Sequence, residues 1–139
     1  MKTVVIDTNA LISFLTDRNP EQQDKIASLL QDAAELRITV LIHHHVLSEF
    51  VYVLDSIYEI PKTSINAMIS DLAEMPGIEF ISSLDVATLL SLWPESVADY
   101  GDAMIVSASL AVKGSVIATF DKNLRKSLSR LNLNTFKMS

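Results

Sequence analysis

The sequence predicts an α/β fold in which a central parallel sheet of four to five strands lies between two layers of helices. Three observations predict it. Short β-branched runs alternate with helical periodicities from end to end, the strand runs are almost continuously apolar, and no linker or charge block divides the chain. Strands buried on both faces read as unbroken hydrophobic runs, and their alternation with helices implies crossover connections. At 139 residues the chain can bury a substantial core, so residues 1–139 are read as a single domain.

The first strand is Thr3 to Ile6, followed directly by Asp7-Thr8-Asn9 and a short helix from Ala10 to Leu15. Pro20 to Ala34 opens with proline and carries Ile26, Leu29, Leu30 and Ala33 at helical spacing. A second strand, Arg37 to Ile42, leads to a strongly apolar helix, Val46 to Tyr58. Pro61 to Met75 is a helix that stops before Pro76-Gly77. The third strand is Ile78 to Ile81, and Leu84 to Leu92 is a helix behind a serine cap with Asp85 in its first turn. Tyr100 to Lys113 ends at Gly114, a C-cap signal. The fourth strand is Ser115 to Thr119, then Asp121 caps a helix from Lys122 to Leu131. Asn134 to Met138 offers a weak fifth strand.

Composition narrows the class. The start, MKTVVIDTNALISFL, is interrupted by Asp7, Thr8 and Asn9, unlike a signal peptide, and no run approaches the ~20 apolar residues of a membrane span. With no cysteine, disulfides and thiolate zinc sites are excluded, and a cytoplasmic protein is expected. Mean hydropathy is +0.30, high enough to reserve apolar surface for a partner. The net charge of −6 argues against a nucleic-acid partner until its distribution is read. After Asp121 come Lys122, Arg125, Lys126, Arg130 and Lys137 with no acid, while the preceding residues hold 6 bases against 17 acids. A basic tail on an acidic body can hold phosphates, or it can be a solvated helix face.

Ligands of open parallel sheets bind beyond the carboxyl ends of the strands, which singles out Asp7 and Asp121. Each could equally be an ordinary N-cap. Glu49 has Val46, Tyr52 and Val53 as helical neighbours. There a carboxylate is desolvated and needs a cation or hydrogen bonds, unless its head reaches water along a packed stem. Asp99 and Asp102 stand three apart at a helix start, where the helix dipole alone favours acids. Taken singly, each acid has a plain structural explanation. Together, Asp7, Glu49, Asp102 and Asp121 make an oxygen-rich pocket of the kind Mg²⁺ or Mn²⁺ prefers. Without a cation such a cluster repels itself, and at least one member resists ionisation.

Other chemistries have less support. His43-His44-His45 resembles a metal patch, but only His43 and His45 would share a face if the strand continued. There is no further His or Cys to complete a zinc site. No Gly-rich phosphate loop exists, and no nucleophile-elbow motif supports serine hydrolase chemistry.

Four segments now stand in a distinctive order: VVIDTNALISFL, HVLSEFVYVL, DYGDAMIVSASL and IATFDKNL. The chain resembles PIN-domain nucleases, specifically the small toxin class called VapC-like. The resemblance covers the chain from end to end and implies a PIN-like three-layer sandwich. It implies that Asp7, Glu49, Asp102 and Asp121 are the metal-binding and catalytic positions, with Asp99 a nearby acid that varies between members. Asn9 and Thr119 match polar positions that brace the site. It further implies an RNA substrate, a homodimer and a small antitoxin partner. The His43 to His45 run belongs to no pattern of that family.

Divalent ions in such a cluster lower the pKa of water and neutralise charge at phosphorus, so hydrolysis needs no ribose 2′-hydroxyl and leaves a 5′-phosphate and 3′-hydroxyl. Lys122, Arg125, Lys126 and Arg130 would hold the flanking backbone. The alternatives are a housekeeping PIN nuclease in RNA processing, a catalytically idle PIN-like binding module, and a small-molecule phosphohydrolase. Retention of all four acids disfavours the idle module.

Overall fold

The computed structural model describes residues Lys2 to Met138. Strands β1 (Lys2–Ile6), β2 (Ile38–His43), β3 (Ile78–Ile81) and β4 (Val116–Ala118) form one sheet in the order β3-β2-β1-β4. Every neighbouring pair is parallel, with Val4 beside Val40 on one side and Val116 on the other, and Val40 beside Ile78. Val4, Val5, Ile6, Val40 and Ile42 are fully buried, which requires cover on both faces of the sheet. β3 departs from the two-sided burial expected of every strand. It lies at the sheet edge, and its Glu79 and Phe80 are exposed.

Seven helices are found among the described residues: α1 (Thr8–Leu15), α2 (Pro20–Ala34), α3 (His44–Ser56), α4 (Lys62–Glu74), α5 (Val86–Leu92), α6 (Tyr100–Leu110) and α7 (Lys122–Arg130). Asn19 caps α2, accepting from Gln22 N at 3.1 Å ahead of Pro20. α5 is capped by Asp85, which accepts from Thr88 N at 3.1 Å, and not by a serine with Asp85 in the first turn. α6 has almost no polar side: Ala103 and Ile105 to Ser109 are all buried, and its small residues allow close packing. α3 turns Val46, Phe50 and Leu54 to the core but leaves Val51 and Tyr52 exposed, as are Ile57 and Tyr58 just past its end.

Three local expectations are corrected. α3 begins at His44, not Val46, because β2 runs into it without a loop; His43 ends the strand and its Nδ1 accepts from His45 N at 3.0 Å. His43 and His45 therefore do not alternate along one strand. α6 stops at Leu110, short of Lys113, and the turn closes at Gly114 with φ +80. The fifth strand over 134–138 reduces to a single parallel bridge of Thr135 with Ile117, supported by Phe136 N donating to Ile117 O at 2.8 Å. β4 is only three residues long, so it offers too little edge for a ladder.

Chain order puts β2 and β3 on one side of β1 and β4 on the other. The winding therefore reverses between β1 and β4, and crevices at such reversals are where open parallel sheets bind ligands. Asp7 N donates to Ala118 O at 3.3 Å across that junction.

Candidate active site

β1 and β4 end side by side, and the acid that follows each one starts a helix. Asp7 caps α1, with Oδ1 accepting from Ala10 N at 2.9 Å. Its Oδ2 accepts from the Thr119 hydroxyl, whose Oγ1 accepts in turn from Asp121 N at 3.0 Å. Asp121 caps α7 through Oδ1, accepting from Asn123 N at 2.7 Å and Leu124 N at 3.2 Å. Asp99 caps α6, with Oδ1 accepting from Asp102 N at 2.9 Å. Three acids are thus genuine N-caps. Capping occupies one oxygen of Asp99 and of Asp121 and leaves the other without a hydrogen-bond partner among the described residues. Capping and cation binding are compatible roles for these side chains.

Asp102 and Glu49 cap nothing. Asp102 lies in the first turn of α6, and its carboxyl accepts no hydrogen bond among the described residues. Glu49 Oε1 accepts from Thr8 Oγ1 at 2.8 Å and lies 3.1 Å from His45 Nε2. Its side chain is 46% exposed, so the desolvated setting expected from its apolar helical neighbours is not what it meets. Tyr52 points into solvent, and Glu49 stands at an open rim.

All five acids line one cleft of about 180 Å³, together with Thr8, Asn9 and Gly101. From Asp99, Asp102 and Asp121 a groove of about 360 Å³ continues past Lys126 and Arg130. Burial pushes the Asp7 carboxyl up to about 6, against the lowering effect of its bonds from Thr119 and Ala10; Asp121 and Glu49 add to the rise. Burial also pushes Asp102 up to about 7, reinforced by Asp99, Asp121, Asp7 and Glu49. The resistance to ionisation expected of the cluster thus falls on Asp7 and Asp102, with burial its larger cause and repulsion from the other acids its smaller one.

Among the described residues no three His, Asp or Glu side chains stand at the spacing of a formed metal site. The donor set nevertheless has the chemistry of a site for a hard divalent cation. The acids offer only oxygens, several of them unengaged, and a positive charge would relieve the two carboxyls held toward neutrality.

Residues 4–127 match the family model of the PIN domain. The chain belongs to the PIN-domain family. PIN domains are nuclease-type folds that act on nucleic acids and generally use divalent ions such as Mg²⁺. No curated protein matches the chain. The matched span of this PIN domain includes all five cleft acids and most of α7. No helix among the described residues is long and apolar enough to cross a membrane.

The PIN domain distributes the other candidate residues unevenly. Thr119 braces Asp7 directly. Asn9 lines the cleft, but its side chain makes no hydrogen bond among the described residues; its main-chain oxygen accepts from Ser13 Oγ at 2.9 Å and Arg18 Nη2 at 3.1 Å. The basic set divides. Lys126 and Arg130, one turn apart, line the groove beside the acids, whereas Arg125 lines a separate pocket with Lys25 and Lys137, and Lys122 lines neither. Sequence reasoning assigned no site role to Thr8 or Gly101, and weighed His45 only as part of a weak histidine metal patch. His45 had a usable signal, since it precedes Glu49 by four residues on a helix.

Proposed function

We propose that this chain is a divalent-metal-dependent endoribonuclease that hydrolyses RNA phosphodiester bonds and acts as the toxin of a type II toxin-antitoxin pair. The observation that carries the reading is the meeting of Asp7, Glu49, Asp102 and Asp121, from four separate segments, in a cleft continuous with a groove lined by Lys126 and Arg130. Mg²⁺ or Mn²⁺, when bound, supplies charge neutralisation at phosphorus and lowers the pKa of water. The protein's own part is positional. Thr119 fixes Asp7, Thr8 fixes Glu49, and the capped helix starts hold Asp99 and Asp121 at the rim. A cleft carboxylate not engaged by the ion accepts the proton of the attacking water. Lys126 and Arg130 hold the neighbouring phosphates, so that the scissile phosphorus lies over the acids. The products are a 5′-phosphate and a 3′-hydroxyl.

The exposed Val51 and Tyr52 of α3, with Ile57 and Tyr58 just past its end, support a homodimer contact or a seat for a small antitoxin. One observation, the wide spacing of the carboxylates, favours the idle binding module instead. Cleavage of RNA, single-stranded DNA and a phosphomonoester with and without Mn²⁺, by wild type and Asp7→Asn, separates the readings. Metal-dependent RNA cleavage lost in Asp7→Asn is the expected result. A purified protein that neither cleaves RNA nor binds Mn²⁺ is a binding module. Recovery of a short basic partner from the native source supports the toxin role, and repeated recovery of a partner-free protein supports a housekeeping nuclease.

A further inference from the structure

The His43 to His45 run has no place in the family pattern, and in the fold its members do different things. His43 caps α3 and its Nε2 meets Ser83 O at 2.9 Å, tying the helix start to the loop after β3. His44 is exposed. His45 stands one turn before Glu49 on the same helix face, with its ring Nε2 close to Glu49 and Gly101, both of which line the cleft.

We propose that His45 is a positioning residue that, with Thr8, pins one oxygen of Glu49 and leaves the other to the cation. The inference rests on the metal-dependent reading above. Thr8 Oγ1 donates to Oε1 at 2.8 Å, and His45 Nε2 lies 3.1 Å from the same atom. Oε2 accepts no hydrogen bond among the described residues. The His45 approach has hydrogen-bonding length but is too bent to make the bond, so Nε2 is buried without a partner. A buried polar nitrogen left unpaired is unfavourable. A small rotation of the half-exposed Glu49 aligns the pair, the kind of tightening that catalytic contacts undergo when a site fills. Neutral imidazole carrying its proton on Nε2 is sufficient for this role.

Gly101 supplies an independent observation. A Cβ there would stand 3.0 Å from His45 Nε2, 3.2 Å from Asp99 Oδ1 and 3.5 Å from Glu49 Oε1. Its φ is not positive, and a helix favours alanine over glycine, so the backbone does not demand glycine here. The missing side chain makes room for the imidazole beside the acids. Glu49 is long and half exposed, so without these contacts its rotamer freedom would be lost on binding the ion. Partners that orient a metal-binding group typically change affinity by ~10–100-fold.

The test is calorimetric titration of Mn²⁺ into the apo full-length protein, with melting curves recorded alongside. His45→Ala is expected to weaken Mn²⁺ binding by ~10-fold, and His45→Gln, whose amide can donate to Oε1, to recover most of it. Gly101→Ala is expected to weaken binding in the wild-type background and to have little further effect beside His45→Ala, since the two act through one contact. Cleavage should lose kcat in step with affinity while KM for RNA stays put. Wild-type affinity in His45→Ala, no recovery in His45→Gln, or independent effects of the two substitutions would each overturn the inference. Asp7→Asn is the control for the reading beneath it: if wild type and Asp7→Asn both fail to bind Mn²⁺, the metal-dependent reading itself falls, and this inference with it.

Discussion

Thr119 and Asp7, 112 residues apart in sequence, share a hydrogen bond that joins the end of β4 to the end of β1. The bond favours the charged carboxylate and so opposes the burial that pushes Asp7 up to about 6. Thr119→Val keeps the shape and removes the donor. Asp7 should then rise further, and metal-dependent cleavage at pH 7 should fall ~10-fold or more, given ~1.5–3 kcal/mol for a hydrogen bond to a charged group. Because higher pH restores the charge, the deficit should shrink at pH 9. A deficit independent of pH would mean that Thr119 acts only on local packing.

The cleft acids can be separated from their capping duties by the choice of substitution. Asn caps a helix about as well as Asp. Asp7→Asn, Asp102→Asn and Asp121→Asn, with Glu49→Gln, should each reduce RNA cleavage by at least ~100-fold, about 2.7 kcal/mol of transition-state stabilisation. The melting temperature of the cap variant Asp121→Asn should change little in the presence of EDTA. Asp99→Asn should have a smaller effect on rate. Near-normal cleavage by any two of the four variants would remove the proposed site.

Stability without metal should depend on pH with a definite sign. Asp7 and Asp102 rise from 3.8 in the unfolded chain to about 6 and about 7 when folded. Between those values the native state binds more protons than the unfolded state, so stability falls as pH rises from ~4 to ~7 and is level above that range. Mn²⁺ binds only the native state and should reverse the loss, by about 2.7 kcal/mol at 100 times Kd. Asp102 accepts no hydrogen bond, so Asp102→Asn should raise the apo melting temperature at pH 8 and abolish most of the metal-induced rise. An Asn variant that melts below wild type without metal would assign Asp102 a structural role.

The split of the basic residues can be read in salt dependence. Lys126→Glu with Arg130→Glu should weaken RNA binding and lower the log–log salt slope by roughly 1.4, about 0.7 for each lost phosphate contact on a single strand. Lys122→Glu with Arg125→Glu should leave the slope nearly unchanged, because neither residue lines the groove beside the acids. Equal slopes for the two pairs would show that the whole helix faces RNA, or that none of it does.

The sequence by itself determined the parallel sheet and the place of Asp7 and Asp121 at its carboxyl end. Both are local patterns: β-branched apolar runs specify strands wherever they lie, and an acid that follows such a run and precedes a helix must sit at a strand end. The family resemblance rested on the same segments, and the match over residues 4–127 agrees with it. Tertiary structure decided the rest. The azimuth of α7 sent Lys126 and Arg130 toward the cleft and Arg125 away from it, and no periodicity in KNLRKSLSR states where the neighbouring helix start lies. The open rim around Glu49 chose between the two settings that its apolar neighbours left open, because helical spacing identifies which residues are adjacent and not whether water reaches them. A three-residue β4 left Thr135 with a single bridge where a fifth strand was expected. Thr8 and Gly101 joined the site for the same reason, whereas His45 and Glu49 are neighbours along α3. Thr8 meets Glu49, and Gly101 meets His45, across segments far apart in the chain that only packing brings together.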